Sequence, residues 1–371
     1  MGVVSGLARD GARSADTRAD AARDRAGAVR VGPRLRHEAT ASTLVPMTRD
    51  QEGGGAILLA VDAAAVTDQH LDRIAALAPG REILVGADRD RANRDRIEIV
   101  VGALPPDRVL ALPRLRWFQQ WAAGADWLAD CPEASERDFL LTSASGIAAA
   151  VVVEQVFGYL ISFTRRLREA WAAQRDRAWR KPLPDQCGEL AGKTLLVAGL
   201  GAIGARVVQV ARGFDMRVVG VRRHPSVPAR GVDRVGGPHD LAELLPDADV
   251  VVAALPHTRE TLHFFSAAAF ARMKSGALFV STGRGKVVDE AALIGALRGG
   301  RLAGAGLDVY EREPLPADSP LWTMESVIMT PHQGAAFPAR FERTMALFID
   351  NLARFAAGEA LRNLVDKRRG Y

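Results

Sequence analysis

Arg284, Glu313 and His332 are the residues whose types and placement suggest chemistry. Each follows a short apolar run inside a polar cluster: Ser281-Thr-Gly-Arg284-Gly285, Gly306-Leu-Asp308-Val-Tyr-Glu-Arg-Glu313-Pro314 and Thr330-Pro331-His332-Gln-Gly334. A planar guanidinium fork grips a carboxylate or a carbonyl oxygen. An imidazole gives and takes a proton near neutral pH, and a neighbouring carboxylate raises its pKa and sets its orientation. Together the three groups suit acid–base chemistry on a carbonyl. Taken singly, each such residue at a strand end is more often only solvated or locally paired, so the reading rests on the set.

A different cluster points to a cofactor. The apolar run Leu195–Ala198 flows into Gly199-x-Gly201-x-x-Gly204, and Ala205 to Arg212 has the composition of a following helix. One glycine permits the tight turn, the second lets backbone approach a pyrophosphate, and the third lets helix pack on strand. Phosphates would lie on the free N–H groups at the helix N-terminus, beside Gly201, Ala202, Ile203 and Gly204.

The elements that must position these groups alternate between strand and helix. Ala56–Val61 reads as a buried strand, followed by a helix over Thr67–Leu77 with Thr67 as N-cap. Further apolar runs lie at Ile97–Val101, Trp117–Trp121 and Phe139–Leu141, and 147–175 reads as one long apolar helix joining two domains. The second unit offers strands at Leu195–Ala198, Arg217–Val221, Val250–Ala253, Ala277–Ser281, Ala303–Leu307 and Val327–Met329. Six strands with helical crossovers suit a doubly wound parallel α/β sheet, which binds ligands beyond its strand C-termini. An amphipathic helix over Arg340–Ala357 would return to the first unit.

The chain has 371 residues, enough for two domains, with 48% apolar and 25% charged residues, as in ordinary globular proteins. Residues 1–54 contain almost no large apolar groups and no period, and read as a disordered N-terminal extension. Two distant cysteines, Cys131 and Cys187, argue against a disulfide framework and for the cytoplasm. No apolar run is long enough for a membrane span. The net charge of +5 is spread among interleaved acids, so a nucleic-acid partner is not expected.

From about residue 56 to 365 the chain resembles the D-isomer-specific 2-hydroxyacid dehydrogenase family, which includes glyoxylate/hydroxypyruvate reductases and phosphoglycerate dehydrogenases. The likeness is carried by Gly199–Gly204, by Arg284-Gly285 with Val288-Asp289, by Gly306-Leu-Asp308-Val with Glu313-Pro314, and by Thr330-Pro331-His332. It implies a Rossmann cofactor domain (147–335) inserted into a split, flavodoxin-like substrate domain (55–146 and 336–371). It also implies His332 as acid/base, Glu313 as its carboxylate partner, and Arg284 as the clamp on a small 2-keto or 2-hydroxy acid. Ala123, Gly124 and Ala125 match a loop offering backbone N–H groups to the substrate carboxylate. Thr282, Gly283, Asp308 and Gly334 match positions beside the nicotinamide. The implied chemistry needs no metal, and relatives are commonly homodimers through the cofactor domain, for which 147–163 would be suited.

The sequence departs from the family's NAD-preferring members at one telling place. They carry an acid after the second strand, where it binds the adenosine ribose. Here Arg222 and Arg223 stand instead, which favours a 2′-phosphate and hence NADP(H), with NAD(H) possible. Ser281-Thr282-Gly283 also replaces the Asn-x-Ala of many relatives. The alternative reading is a nicotinamide-sensing, corepressor-like interaction protein with vestigial catalysis, against which the intact Arg284, Glu313 and His332 weigh. Formate oxidation is disfavoured because formate dehydrogenases typically carry glutamine where Glu313 stands.

Overall fold

The computed structural model describes residues 55–371. The expectation of disorder for residues 1–54 lies outside the described residues. The first sheet is built from β1 (Ala56–Ala60), β2 (Glu82–Val85), β3 (Ile97–Gly102), β4 (Trp117–Gln120) and β5 (Leu140–Thr142). Its order is β2-β1-β3-β4-β5 with every pair parallel, the flavodoxin-like arrangement. Successive side chains alternate between two buried layers. Leu58 and Val100 enter one core, while Ile57, Leu59, Ile99 and Trp117 enter the other. Burial on both faces is why β1 reads as an unbroken apolar run.

Thr67 caps the helix Asp68–Leu77, as expected, by accepting the His70 N–H. The final helix, Arg340–Ala357, closes the second layer of the first sheet with Met345, Phe348, Ile349 and Leu352. Phe348 and Phe355 stack on Trp117, with ring centroids 5.3 and 5.4 Å away. Gly358 then stops the helix at φ 70°, a left-handed cap that glycine adopts without strain.

The second sheet contains β6 (Thr194–Ala198), β7 (Arg217–Val221), β8 (Arg234–Gly236), β9 (Val250–Ala253), β10 (Ala277–Ser281), β11 (Leu302–Leu307) and β12 (Val327–Met329). Its order is β12-β11-β10-β9-β6-β7-β8, all parallel. The order reverses beside β6, and this is the switch point at which Rossmann sheets bind ligands. The sheet has seven strands where the sequence suggested six. The addition, β8, is a three-residue edge strand too short to show a period.

The single helix expected over 147–175 is two helices, Ala149–Thr164 and Leu167–Arg175. Thr164 turns its hydroxyl back to the Leu160 and Ile161 carbonyls (3.0 and 3.3 Å), and Arg166 takes a left-handed φ of 55°. The break redirects the chain so that Arg168 donates to the Val327 carbonyl at 2.9 Å. The first helix buries Val153, Val156, Phe157, Tyr159 and Leu160 against the second sheet of its own chain. Its apolar face is therefore not the free surface expected for 147–163. Among the large apolar side chains left exposed, Trp171, Trp179 and Leu183 are the most so, at 59%, 99% and 61%.

Candidate active site

The glycine turn after β6 is constrained at two of its three glycines. Gly199 sits at φ 99°, and a Cβ there would lie 2.6 Å from the Ala254 carbonyl oxygen. A Cβ on Gly204 would lie 1.8 Å from the Gly199 carbonyl oxygen, so that helix and strand can meet only at glycine. Gly201 differs: it faces open space and precedes the helix Ala202–Gly213 with no side-chain cap. The first-turn N–H groups around Ala202, Ile203 and Gly204 are thus left to an external anion. The residues present fit a dinucleotide.

Opposite this turn, Thr282 and Gly283 leave β10. A Cβ on Gly283 would come within 2.5 Å of the Leu255 carbonyl oxygen, so the loops after β9 and β10 are in close backbone contact. Thr282 is buried, and its hydroxyl and the Nδ1 of His257 have no hydrogen-bond partner among the described residues. His257 is half-buried.

Arg222 and Arg223 extend from the end of β7, next to the glycine turn, where Gly199 N–H donates to the Val221 carbonyl at 2.9 Å. Among the described residues, the Arg222 guanidinium reaches only the Val227 carbonyl, at 3.4 Å. Arg223 is engaged twice: it ion-pairs with Glu260, and its guanidinium carbon lies 5.0 Å from the Tyr371 ring centroid.

Arg284 joins the two sheets. Its Nε–H donates to Asp126 Oδ2 at 2.7 Å and its Nη1–H to the Gly283 carbonyl at 2.8 Å. Asp126 belongs to the loop that carries Ala123, Gly124 and Ala125. Space there is so tight that a Cβ on Gly124 would lie 1.8 Å from Arg284 Nη2. Gln120 shapes the loop from beneath, donating to the Ala122 and Gly124 carbonyls at 3.1 and 2.7 Å. Ala123 is exposed, whereas the methyl of Ala125 is packed into the first-sheet core. Among the described residues, no group accepts a hydrogen bond from the N–H of Ala123, Gly124 or Ala125.

His332 and Glu313 meet as their types suggest. The Nδ1–H of His332 donates to Glu313 Oε2 at 2.7 Å, which leaves Nε2 directed away from the carboxylate. The other oxygen of Glu313 accepts the Tyr310 N–H at 3.0 Å. Tyr310 is itself anchored, its hydroxyl donating to the Leu307 and Thr330 carbonyls at 3.2 and 3.0 Å. His332 has φ 49°, an uncommon conformation for a residue with a Cβ and one that persists where surrounding contacts enforce it.

Asp308 supplies those contacts. Its buried carboxylate is turned to its own chain. Oδ1 accepts from Gln155 Nε2, Thr330 Oγ1 and the Gln333 N–H at 2.9, 2.6 and 2.9 Å, and Oδ2 accepts the Gly334 N–H at 2.9 Å. The Gly334 N–H is thereby engaged as well. Gln155 and Tyr159, from the helix Ala149–Thr164, complete the network. Gln155 Nε2 also lies 2.5 and 2.6 Å from Tyr159 Oη and Thr330 Oγ1, and Tyr159 also meets Thr330. Burial pushes the Tyr159 phenol upward, keeping it neutral.

Sequence reasoning missed Asp126, Gln120, Gln155, Tyr159 and Glu260. Asp126, two residues past Gly124, was open to suspicion as a polar residue in a loop already singled out. Gln155, Tyr159 and Glu260 have no local signal, because each acts on a partner distant in the chain. The structure joins His332 to Glu313, Asp308 to Gly334, and Arg284 to the 123–126 loop.

A family model for the NAD binding domain of D-isomer specific 2-hydroxyacid dehydrogenases matches residues 157–334. The glyoxylate reductase of Korarchaeum cryptofilum is 37% identical over 263 residues, 69% of this chain and 78% of that protein. A D-isomer specific 2-hydroxyacid dehydrogenase from Xanthobacter autotrophicus Py2, solved with NADPH and MES, has TM-score 0.73 and 30% identity, covering 86% of this chain and 100% of that one. The NADPH-dependent glyoxylate/hydroxypyruvate reductase of Sinorhizobium meliloti, solved with NADP and sulfate, has TM-score 0.72 and 27% identity, over 85% and 100%.

Proposed function

We propose, from the premise that this chain belongs to the D-isomer specific 2-hydroxyacid dehydrogenase family, that it reduces a small 2-keto acid to the D-2-hydroxy acid. NADPH is the preferred cofactor and NADH the alternative. The observation that carries the reading is the 2.7 Å bond between His332 and Glu313 on the loops after β12 and β11, with Arg284 on the loop after β10.

A dinucleotide held at the β6 turn, its nicotinamide end framed by Thr282, Gly283 and Gly334, would supply the hydride for the keto carbon. The chain's own residues do the rest. His332 delivers a proton from Nε2 to the keto oxygen, while Glu313 stabilises the charged imidazole and holds its Nδ1–H. Arg284 pairs with the substrate's carboxylate and carbonyl oxygens. Asp126 fixes its guanidinium plane, and the free N–H groups of Ala123, Gly124 and Ala125 receive the carboxylate. Asp308 fixes the loop that carries His332. Thr282, Gly283 and Gly334 frame the nicotinamide end, and Arg222 and Arg223 face the 2′-phosphate.

Glyoxylate and hydroxypyruvate are the favoured substrates, in keeping with the names of the similar reductases. We assign 147–335 to cofactor binding, and 55–146 with 336–371 to substrate binding. The free thiols of Cys131 and Cys187 suit a cytoplasmic location. The chain pairs as a homodimer through the segment bearing Trp171, Trp179 and Leu183. Chiral analysis of the product from hydroxypyruvate tests the reading: D-glycerate is expected, and L-glycerate would reject it.

A further inference from the structure

Arg223 does not meet an incoming ligand as a free cation. Its guanidinium is ion-paired with Glu260, on the loop after β9, and stacked on Tyr371 beyond the last helix. Tyr371 is tied to its own segment, its carbonyl accepting the Asp366 N–H at 3.1 Å. Val365, one residue earlier, donates to the Leu141 carbonyl of β5 at 2.8 Å. Arg223 is therefore held between a carboxylate of the second sheet's loops and a ring anchored to the first sheet. Arg222, its neighbour, has no carboxylate partner among the described residues. The Glu260 side chain is 70% exposed, so its charge also faces whatever approaches Arg223.

We propose that Glu260 is a specificity-determining residue for the cofactor. It neutralises Arg223 and sets its negative charge beside the 2′-phosphate position, so that Arg222 carries most of the preference for NADPH and NADH remains usable. Arg222 and Arg223 alone would give a strongly cationic pocket, selective for a phosphate dianion. With Glu260 paired to Arg223, the excess is nearer one positive charge, and the phosphate meets a like charge as well as two unlike ones. NADH, which has only ribose hydroxyls at that position, is scarcely affected by the carboxylate. The inference rests on the proposed placement of Arg222 and Arg223 at the 2′-phosphate.

Fluorescence titration of NADPH and NADH into the full chain tests it with Glu260→Gln, Arg223→Ala, the double variant and Arg222→Ala. Glu260→Gln is expected to tighten NADPH about fivefold, with NADH changed by less than about twofold. The gain should be smaller in the Arg223→Ala background, where only the direct repulsion is relieved, and shrink in about 0.5 M KCl, where screening is strong. If Arg222→Ala weakens NADPH selectively but Glu260→Gln leaves NADPH unchanged or weaker, the role of Glu260 is overturned while the phosphate assignment stands. If neither Arg222→Ala nor Arg223→Ala distinguishes NADPH from NADH, the assignment itself falls and this inference with it.

Discussion

Asp308 fixes the backbone that carries His332. Its two carboxylate oxygens accept the N–H groups of Gln333 and Gly334, each at 2.9 Å, and so fasten the chain immediately past the histidine. His332, at φ 49°, is held in a conformation that would otherwise relax, with its ring on Glu313. Asp308→Asn keeps one acceptor oxygen and loses the charge. It should lower kcat about tenfold while the KM for NADPH changes little, because the loop and not the cofactor loses its anchor. Steady-state kinetics decides: an increase in NADPH KM at constant kcat would place Asp308 on the nicotinamide instead.

Gly124 controls Arg284 by the absence of a side chain. A methyl group there would lie 1.8 Å from Nη2 of Arg284 and 2.6 Å from Oδ2 of Asp126. Gly124→Ala should therefore displace the guanidinium, raising the KM for the keto acid by about tenfold or more, while NADPH affinity is preserved. Unchanged KM would show that the guanidinium has no part in substrate binding.

The Asp90–Arg108 pair gives a pH-dependent stability. Asp90 is buried, and its Oδ2 accepts from Arg108 Nε at 2.6 Å. The hydrogen bond from Arg108 holds the carboxyl below its ordinary value of 3.8. A depressed folded-state pKa gives stability that is present above the unfolded value and lost as pH falls through the folded one. Asp90→Asn should cost about 2–4 kcal/mol at pH 7 in urea unfolding, and the difference from wild type should fade below the ordinary aspartate value. A difference independent of pH would assign the loss to packing.

Trp179 and Trp171 are exposed to a degree unusual for large aromatic groups. Replacing both with serine should convert the proposed homodimer to monomer in sedimentation velocity without unfolding the chain. A wild-type chain already monomeric, or a double variant still dimeric, would remove this segment as the interface.

Much of this arrangement was legible in local pattern. Gly199, Gly201 and Gly204 announced a strand–turn–helix joint because the apolar run, the glycine spacing and the following helix all lie within one short stretch of chain. The apolar period of Arg340–Ala357 marked a helix with the bounds it has. The break at Arg166 was hidden because the apolar run continues across it, while the turn is imposed by contacts such as Arg168 with β12. β8 was too short for a period, and it exists through pairing with β7. The type of Asp308 drew attention to it, but its task depends on Thr330, Gln333 and Gly334, which chain topology alone brings near. Glu260 and Tyr371 gave no sign of converging on Arg223, since neither neighbours it in sequence.

The central claim is reduction of a 2-keto acid with NADPH preferred, and initial rates of nicotinamide oxidation test it most directly. NADPH and NADH would each be paired with glyoxylate, hydroxypyruvate, pyruvate and a longer keto acid, for the wild type and His332→Ala. Turnover is expected with the small keto acids, faster with NADPH, and is expected to fall by about 100-fold or more in His332→Ala. Tight nucleotide binding with no turnover of any keto acid, or a His332→Ala rate equal to wild type, would contradict the account.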